Sequence, residues 1–347
     1  MGTYISGKEL VKKILDGERD FSGISLEQGF NLNDEKIFFK LQKYLLQQRL
    51  WEEPLIFIGA DLQGLQASGL YLPFTQAAYS NFNHAQLNKI NLFKANLENA
   101  NLNDTSLINA NLRYALLRSA FLVKSKLDQS NLHYSNLIKA KLKNASLNNA
   151  FLNESILRFA NLQHTNCFFA NFKHADLSNA NLSFANFQKA NFWDAALNEA
   201  NLEHANFKGS NLQNSRFLKA KLTHAQLNYC NMRNSQFNHS ELVGANLSKS
   251  KLFNADFHNA NLKGATFESS NLIEVNFKNA DLSNVNMRMA NIRNANFNHA
   301  CLLNAIDFDK SMNIAYADLN QTIVTHQQQQ VIKRFLNQKT IFVIKDV

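Results

Sequence analysis

The side chains best equipped for chemistry are ten histidines, three cysteines and several runs of lysine. Seven histidines fall in one phase of a five-residue count: His84, His164, His174, His204, His224, His239 and His299. His204 and His224 alone could share a cation, and two neutral imidazoles with no nearby cysteine or carboxylate make a poor site, so a solvated polar position is the expected role. Cys167, Cys230 and Cys301 lie far apart with no paired spacing. They read as small apolar residues in a reducing compartment. No phosphate-cradling glycine loop, nucleophile elbow or paired-cysteine motif occurs. The expectation is a protein that is not an enzyme and needs no cofactor or metal. With no apolar run long enough to span a bilayer and no signal-like opening, no membrane insertion and a cytoplasmic location are expected.

Those residues hang on a repeat. From Phe82 to Leu302, 45 successive positions five apart are all Leu, Phe, Ile or Met, except Cys167. Two residues before each stands a small side chain, as in Ala85, Ala95 and Ala100, with Ile90, Val275 and Val285 as the large misfits. Between small and large sits mostly Asn, as in Asn91, Asn96 and Asn101. A period of five fits neither the 3.6 of a helix nor the 2.0 of a strand. A short fixed period means stacked coils.

Written in units such as Ala95 to Asn99, the chain resembles the pentapeptide-repeat family over about two thirds of its length. The resemblance implies an all-β solenoid: a right-handed quadrilateral β-helix with four pentads per coil, the large and small residues pointing inward. Residues 20 apart should then stack, and Phe217, Phe237, Phe257, Phe277 and Phe297 form such a column. Each buried apolar side chain contributes roughly 1.5–3 kcal/mol. A second large residue per pentad would overpack the lumen, so local widening is expected at Ile90, Val275 and Val285. Stacked coils at about 4.8 Å spacing predict a rod on the order of 50 Å long. Proline is absent after Pro73, as expected where backbone N–H groups bond the next coil. His204 and His224 would stand on adjacent coils.

Four segments are expected. Residues 1–56 form an N-terminal helical cap, with one helix from about 7 to 16 behind Ser6 and Glu9 and a second from Asn33 to Trp51, ended by Pro54. Residues 57–81 make an irregular first coil, because Leu65 and Leu70 take the small place and Ala67 and Ala77 the large one. Residues 82–302 are the regular solenoid. Residues 303–347 are a degenerate last coil and a cap, with a helix from Gln327 to Asn337 and a strand over 341–344. An open solenoid end exposes unpaired backbone and needs such covers.

Function is expected on the outer faces. At the Asn place the chain puts Leu116, Phe121, Phe151 and Ile156. Tyr114, Leu116, Tyr134 and Ile156 are expected on one edge, and Phe151, Phe168, Phe169 and Trp193 together on the opposite edge, as interaction strips for a protein partner. A basic patch is expected from Lys139, Lys141, Lys143, Lys219 and Lys221, with nucleic acid as the alternative ligand. The net charge is +9, and residues 57–302 hold 23 Lys and Arg against 14 Asp and Glu. Family members that confer fluoroquinolone resistance imitate the shape and negative charge of B-form DNA at gyrase. A net charge of +9 departs from that pattern. The preferred expectation is a protein-interaction scaffold or regulator displaying rigid flat faces.

Overall fold

The computed structural model describes residues 2–336 and 340–345. The chain divides into two compact units, residues 1–176 and 177–347.

In both units the pentad is the building block, and one that carries Asn can account for every backbone N–H within it. In the pentad from Asn91 to Ala95, the Asn91 N–H donates to Leu70 O on the previous coil at 2.9 Å, and the Leu92 and Lys94 N–H groups donate to Asn111 O and Arg113 O on the next, at 2.8 and 2.9 Å. Ala95 N–H closes a turn onto Leu92 O at 3.0 Å. The fifth N–H, of Phe93, donates to the Asn91 side-chain Oδ1 at 3.0 Å. This is the physical reason for asparagine before the central apolar residue: its side chain satisfies the one N–H that no backbone carbonyl reaches. Pro73 occupies that same position of its pentad and has no N–H to satisfy, and the residue at the Asn place before it is Tyr71, whose side chain has no amide oxygen to offer.

Each turn carries a residue with positive φ, from Gly59 at 65° to Asn304 at 55°, every fifth residue without a gap. Positive φ at the third residue of a turn, and only there, is the type II requirement. None of these positions holds Val, Ile or Thr, whose branched side chains tolerate the left-handed region worst. All seven periodic histidines, including His204 and His224, stand here. Asn, Asp and His are the non-glycine residues enriched in that conformation, so the histidine phase is a backbone requirement before it is anything else.

The coils are joined by single parallel bridges between residues 20 apart, such as Asn91 to Asn111 and Asn111 to Asn131 in the first unit and Asn211 to Asn231 in the second. Four pentads to a coil therefore hold within each unit, and the structure is a solenoid knit by isolated bridges rather than by long strands. The central residues are buried throughout. In the second unit the five-phenylalanine column stacks at 4.6, 4.8, 5.4 and 5.1 Å between ring centroids, close to the spacing of adjacent β-strands.

The N-terminal end departs from the expected division. Coil-like backbone begins well before residue 57: Asp20, Ser25 and Asn31 bridge Ile56, Asp61 and Gln66, and Phe21, Leu26 and Leu32 are buried. A two-residue strand β1 (Tyr4–Ile5) pairs in parallel with β2 (Ser25–Leu26). Helix α1 (Gly7–Leu15) starts at Ser6, whose Oγ accepts the Glu9 N–H at 3.3 Å, and α2 (Glu35–Leu46) starts at Asp34. α2 is shorter than expected, and Trp51 lies beyond it, exposed in a turn. Leu10, Ile14, Leu41 and Leu45 of these helices close an apolar cavity of about 30 Å³ that Leu65, Leu70 and Ile90 also line. Ile90 is thus one of the residues lining this cavity, and Val275 and Val285 are fully buried. Arg19 fastens the two helices, donating to Ile14 O at 3.3 Å, Tyr44 Oη at 3.0 Å and Gln48 Oε1 at 3.1 Å.

At the other end the register does not simply fail. Phe308 takes the core place expected at 307, then Ile314, Leu319 and Val324 follow, all buried, so the step is six, six, five and five residues. The two extra residues form 3-10 turns at Phe308–Lys310 and Ile314–Tyr316, and the bridge offset grows from 20 at Asn286 to Ile306 to 22 at Cys301 to Ile323. β3 (Thr322–Val324) pairs with β4 (Phe342–Ile344), and α3 (His326–Ile332) is held by a Thr325 and Gln328 capping box. The Gln328 Nε2 donates to Leu302 O at 2.9 Å, satisfying a carbonyl of the last regular coil. The expected end of this helix at Asn337 lies outside the described residues, and 3-10 geometry over Lys333–Phe335 already follows α3. Among the described residues no helix is long and apolar enough to cross a membrane.

Candidate functional site

Columns of every twentieth residue decide which outer side chains meet. In the first unit several outer aromatic residues form one connected strip. Phe74 contacts Phe93 at 5.6 Å, Phe93 contacts Tyr114 at 5.8 Å, and Tyr114 stacks flat on Tyr134 at 4.8 Å with 6° between ring planes. Lys94 Nζ lies 5.8, 5.6 and 5.9 Å from the centroids of Phe74, Phe93 and Tyr114, and Arg113 lies 5.6 Å from Tyr114. Such cations are held by the electron-rich ring faces. Phe74 and Phe93 did not stand out in the sequence; their pairing across adjacent columns was the missing signal.

The strip extends through His133, whose ring lies 6.2 Å from Tyr134 and stacks on Phe151 at 5.9 Å. This corrects the expected placement of Phe151 on the opposite edge from Tyr114 and Tyr134. Phe151 belongs to the wall whose pentads turn at the His133 and Tyr134 corner, so it is a neighbour of Tyr134. Leu116 and Ile156 stand on the wall beyond that corner, one coil either side of Asn136. Phe168 and Phe169 contact each other edge to face at 4.5 Å. Trp193 is half-buried in the second unit, with its backbone N–H donating to Asn191 Oδ1 at 3.2 Å.

Electrostatics tunes the strip. Burial lowers the His133 pKa below its ordinary value, Arg113 lowers it further and Glu154 opposes both. Tyr134 Oη donates to Glu154 Oε1 at 3.0 Å, and this hydrogen bond is the first cause of its raised pKa. His133 Nδ1 lies 2.8 Å from Asn131 Oδ1.

The apolar substitutions at the Asn place sacrifice turn bonds. Beside Phe121 the Val123 N–H is rescued by Asn103 Oδ1 at 2.8 Å. Beside Leu116, Phe151 and Ile156 the N–H groups of Arg118, Asn153 and Arg158 have no protein acceptor among the described residues. Each lost bond costs about 0.5–1.5 kcal/mol, and burial does not offset it, since Leu116, Phe151 and Ile156 stay 40%, 45% and 40% exposed.

The basic residues are less organised. Lys141 Nζ sits 4.2 Å over the Phe121 ring, while Lys139 and Lys143 are exposed without ion-pair partners among the described residues. Lys219 and Lys221 are exposed in the second unit, and Lys221 bridges Asn201 and Glu241. His204 and His224 stack face to face at 5.2 Å under Phe184, and His224 Nδ1 lies where any side chain at Gly244 would stand. The His204 and His224 ring planes lie 29° apart. Among the described residues no group of three or more His, Cys, Asp or Glu could hold a metal ion. Cys167 and Cys230 are buried, and burial raises their thiols to about 12 and about 11.

Fold and surface together define a β-solenoid of stacked pentads. Family profiles agree: pentapeptide repeats in eight copies match residues 95–133, 135–166, 230–268 and 270–306, and a pentapeptide repeat region matches 170–247. The chain belongs to the pentapeptide-repeat family. Among solved structures it is similar to HetL, a pentapeptide repeat protein involved in heterocyst differentiation regulation from Nostoc sp. strain PCC 7120, at 28% identity over 76% of this chain and 97% of that one, with a TM-score of 0.31. It is similar to Rfr23 from Cyanothece 51142 at 32% identity over 26% of this chain and 58% of that one, TM-score 0.21. QnrB1, a plasmid-mediated fluoroquinolone resistance protein, matches at 20% identity over 64% of this chain and 97% of that one, TM-score 0.30. No curated protein sequence matches significantly.

Proposed function

We propose that the chain is a non-enzymatic scaffold of the cytoplasm that docks a protein partner on the aromatic strip of its first unit, from Phe74 through Tyr134 to Phe151. The proposal includes a right-handed, four-faced β-helix as the support. One observation carries it: Phe151 in the strip, and Leu116 and Ile156 beside it, stay exposed at positions where asparagine would have satisfied a backbone N–H. A rigid backbone loses little entropy on binding, and stacked aromatic rings with adjacent cations are the residue types that carry interface energy. Free, buried cysteines support a reducing compartment. The positive net charge argues against imitation of DNA.

The test is a pull-down from lysate of the source cells at low and high salt, with wild type beside a Tyr114→Ala, Phe151→Glu variant. A protein retained at high salt by wild type and lost by the variant is expected. Nucleic acid captured only at low salt, and equally by both proteins, would move the function to Lys139, Lys141 and Lys143.

A further inference from the structure

Lys94 stands between aromatic rings in an outer column of the first unit. Phe74, Lys94, Tyr114 and Tyr134 are twenty residues apart, on successive coils, as the bridges from Tyr71 to Asn91 and from Asn91 to Asn111 set them. Phe74 and Tyr114 therefore lie two coils apart with the Lys94 side chain between them. Phe93, one residue before Lys94, stands at 86° to the Phe74 ring and at 85° to the Tyr114 ring. It makes a third wall. The ammonium lies 5.8, 5.6 and 5.9 Å from the centroids of Phe74, Phe93 and Tyr114. It forms no ion pair among the described residues. Lys94 is exposed, so its flexible stem can carry the charged head out into water.

Three rings round one ammonium attract organic cations through their negative faces. The spacing of the walls selects which cation fits. Tyr114 stacks on Tyr134 at 4.8 Å with 6° between planes, so its face looks along the column. Twice 4.8 Å places Phe74 and Tyr114 about 9.6 Å apart. A flat group stacked between two rings needs only about 7 Å, twice a contact distance of about 3.5 Å. A guanidinium or another aromatic ring would therefore touch one wall and leave a gap at the other. A methylated nitrogen is wider: about 1.5 Å from nitrogen to methyl carbon and about 3.5 Å from that carbon to a ring give about 5 Å on each side. That sum matches the slot. The bare ammonium of Lys94 stays 5.8 and 5.9 Å from the two outer rings, short of the midpoint about 4.8 Å from each, because its three N–H groups need water. A trimethylammonium has no N–H to satisfy, and it exchanges one positive charge for another beside Arg113. An unmodified lysine from outside has no such advantage over Lys94, which is tethered at the site. We propose that Phe74, Phe93 and Tyr114 form a cage for a trimethylated lysine of the protein partner, and that Lys94 is the internal plug which this side chain displaces. The proposal rests on the aromatic strip being the docking surface, since three rings on an exposed face give a free small cation too little contact to outcompete Lys94.

The test uses the full chain and three short acetylated peptides that differ only at the central residue: trimethyllysine, lysine, and the neutral analogue in which carbon replaces the methylated nitrogen. Binding is followed by calorimetry and by the upfield NMR shift that ring currents give the methyl protons. The proteins are wild type, Lys94→Ala, and Lys94→Ala combined with Tyr114→Leu, each checked for an unchanged circular dichroism spectrum. Lys94→Ala should bind the trimethyllysine peptide about six-fold more tightly than wild type, because a plug held by a cation–π contact of ordinary strength leaves about one cage in six open. The lysine and neutral peptides should bind Lys94→Ala at least about five-fold more weakly than the trimethyllysine peptide. Adding Tyr114→Leu should remove the tighter binding. Equal binding of the neutral peptide, undiminished binding after Tyr114→Leu, equal affinity of wild type and Lys94→Ala, or no trimethyllysine binding by Lys94→Ala would each overturn the cage. The pull-down separates this from the docking reading. A partner retained at high salt by Lys94→Ala, with no trimethyllysine binding, would leave the strip standing and remove the cage. Trimethyllysine binding with no protein retained by wild type would remove the strip as a docking surface, and with it a partner's lysine as the source of the cation.

Discussion

The positive-φ position of the pentad makes the sharpest stability prediction. Asn144 has φ of 62°, is exposed, and its side chain makes no hydrogen bond among the described residues, so replacing it changes backbone preference and little else. An ordinary L-residue in the left-handed region costs roughly 1–2 kcal/mol, while glycine enters it freely. Asn144→Gly should leave stability within about 0.5 kcal/mol, Asn144→Ala should lose about 1 kcal/mol, and β-branched Asn144→Val about 2 kcal/mol. Lys143→Val is the control, because Lys143 is equally exposed one residue earlier and does not have positive φ; it should change stability by no more than about 0.5 kcal/mol. The reporter is hydrogen exchange at the Ala145 amide, which closes this turn onto Leu142 O at 2.9 Å. A loss of 2 kcal/mol speeds its exchange by about thirty-fold. Equal protection in the Asn144→Val and Lys143→Val proteins would refute the idea that the turn selects the residue at the end of each pentad.

Other outcomes follow from the same structure. Phe237→Ala removes a fully buried ring stacked at 4.6 and 4.8 Å on Phe217 and Phe257 and should cost about 4 kcal/mol in urea unfolding. Phe184→Ala, at a ring half exposed to solvent, should cost less than about 1 kcal/mol, and equal losses would contradict the buried ladder. At pH 8 a thiol reagent should label native protein at Cys301 alone, since burial holds the Cys167 and Cys230 thiols near 12 and 11, and all three should react after denaturation. His133 should titrate below its ordinary value by NMR. Because the unfolded chain then binds a proton more readily, its contribution to stability is intact above the unfolded pKa of about 6.5 and declines as pH falls toward the folded pKa. A His133→Gln variant should show a flatter acid limb, and an unchanged limb would show that this group is not responsible.

Much of the architecture could be read from the chain because the repeat is local. Apolar residues five apart, with a small residue two before each, leave only the inward pair large enough to fill a narrow lumen, and a twenty-residue coil makes Phe217 and Phe237 neighbours by arithmetic. The histidine phase was legible as a pattern but not as a cause. His204 and His224 stand where they do because the turn requires positive φ, and backbone dihedrals leave no hydrophobic signature. The asparagine phase was likewise visible, yet its purpose appears only when the Phe93 N–H is followed to the Asn91 side chain.

Where the period breaks, the sequence alone loses its ruler. The pairing of Asp20 with Ile56, across a stretch that includes α2, and the two six-residue steps at Phe308 and Ile314 depend on which backbone groups remain unpaired after the neighbouring coil is laid down. The same holds for the surface. The sequence by itself determined a ladder of buried residues and a set of candidate outer side chains, and the family resemblance it carries implied coils of four pentads. Tertiary structure alone decided that Phe151 meets His133 rather than an opposite edge, and that Phe74, Phe93 and Tyr114 stand round the Lys94 ammonium. Inward positions are dictated by a period that each pentad carries within itself, whereas outer contacts and the junctions of the cap depend on distances between residues that no local pattern relates.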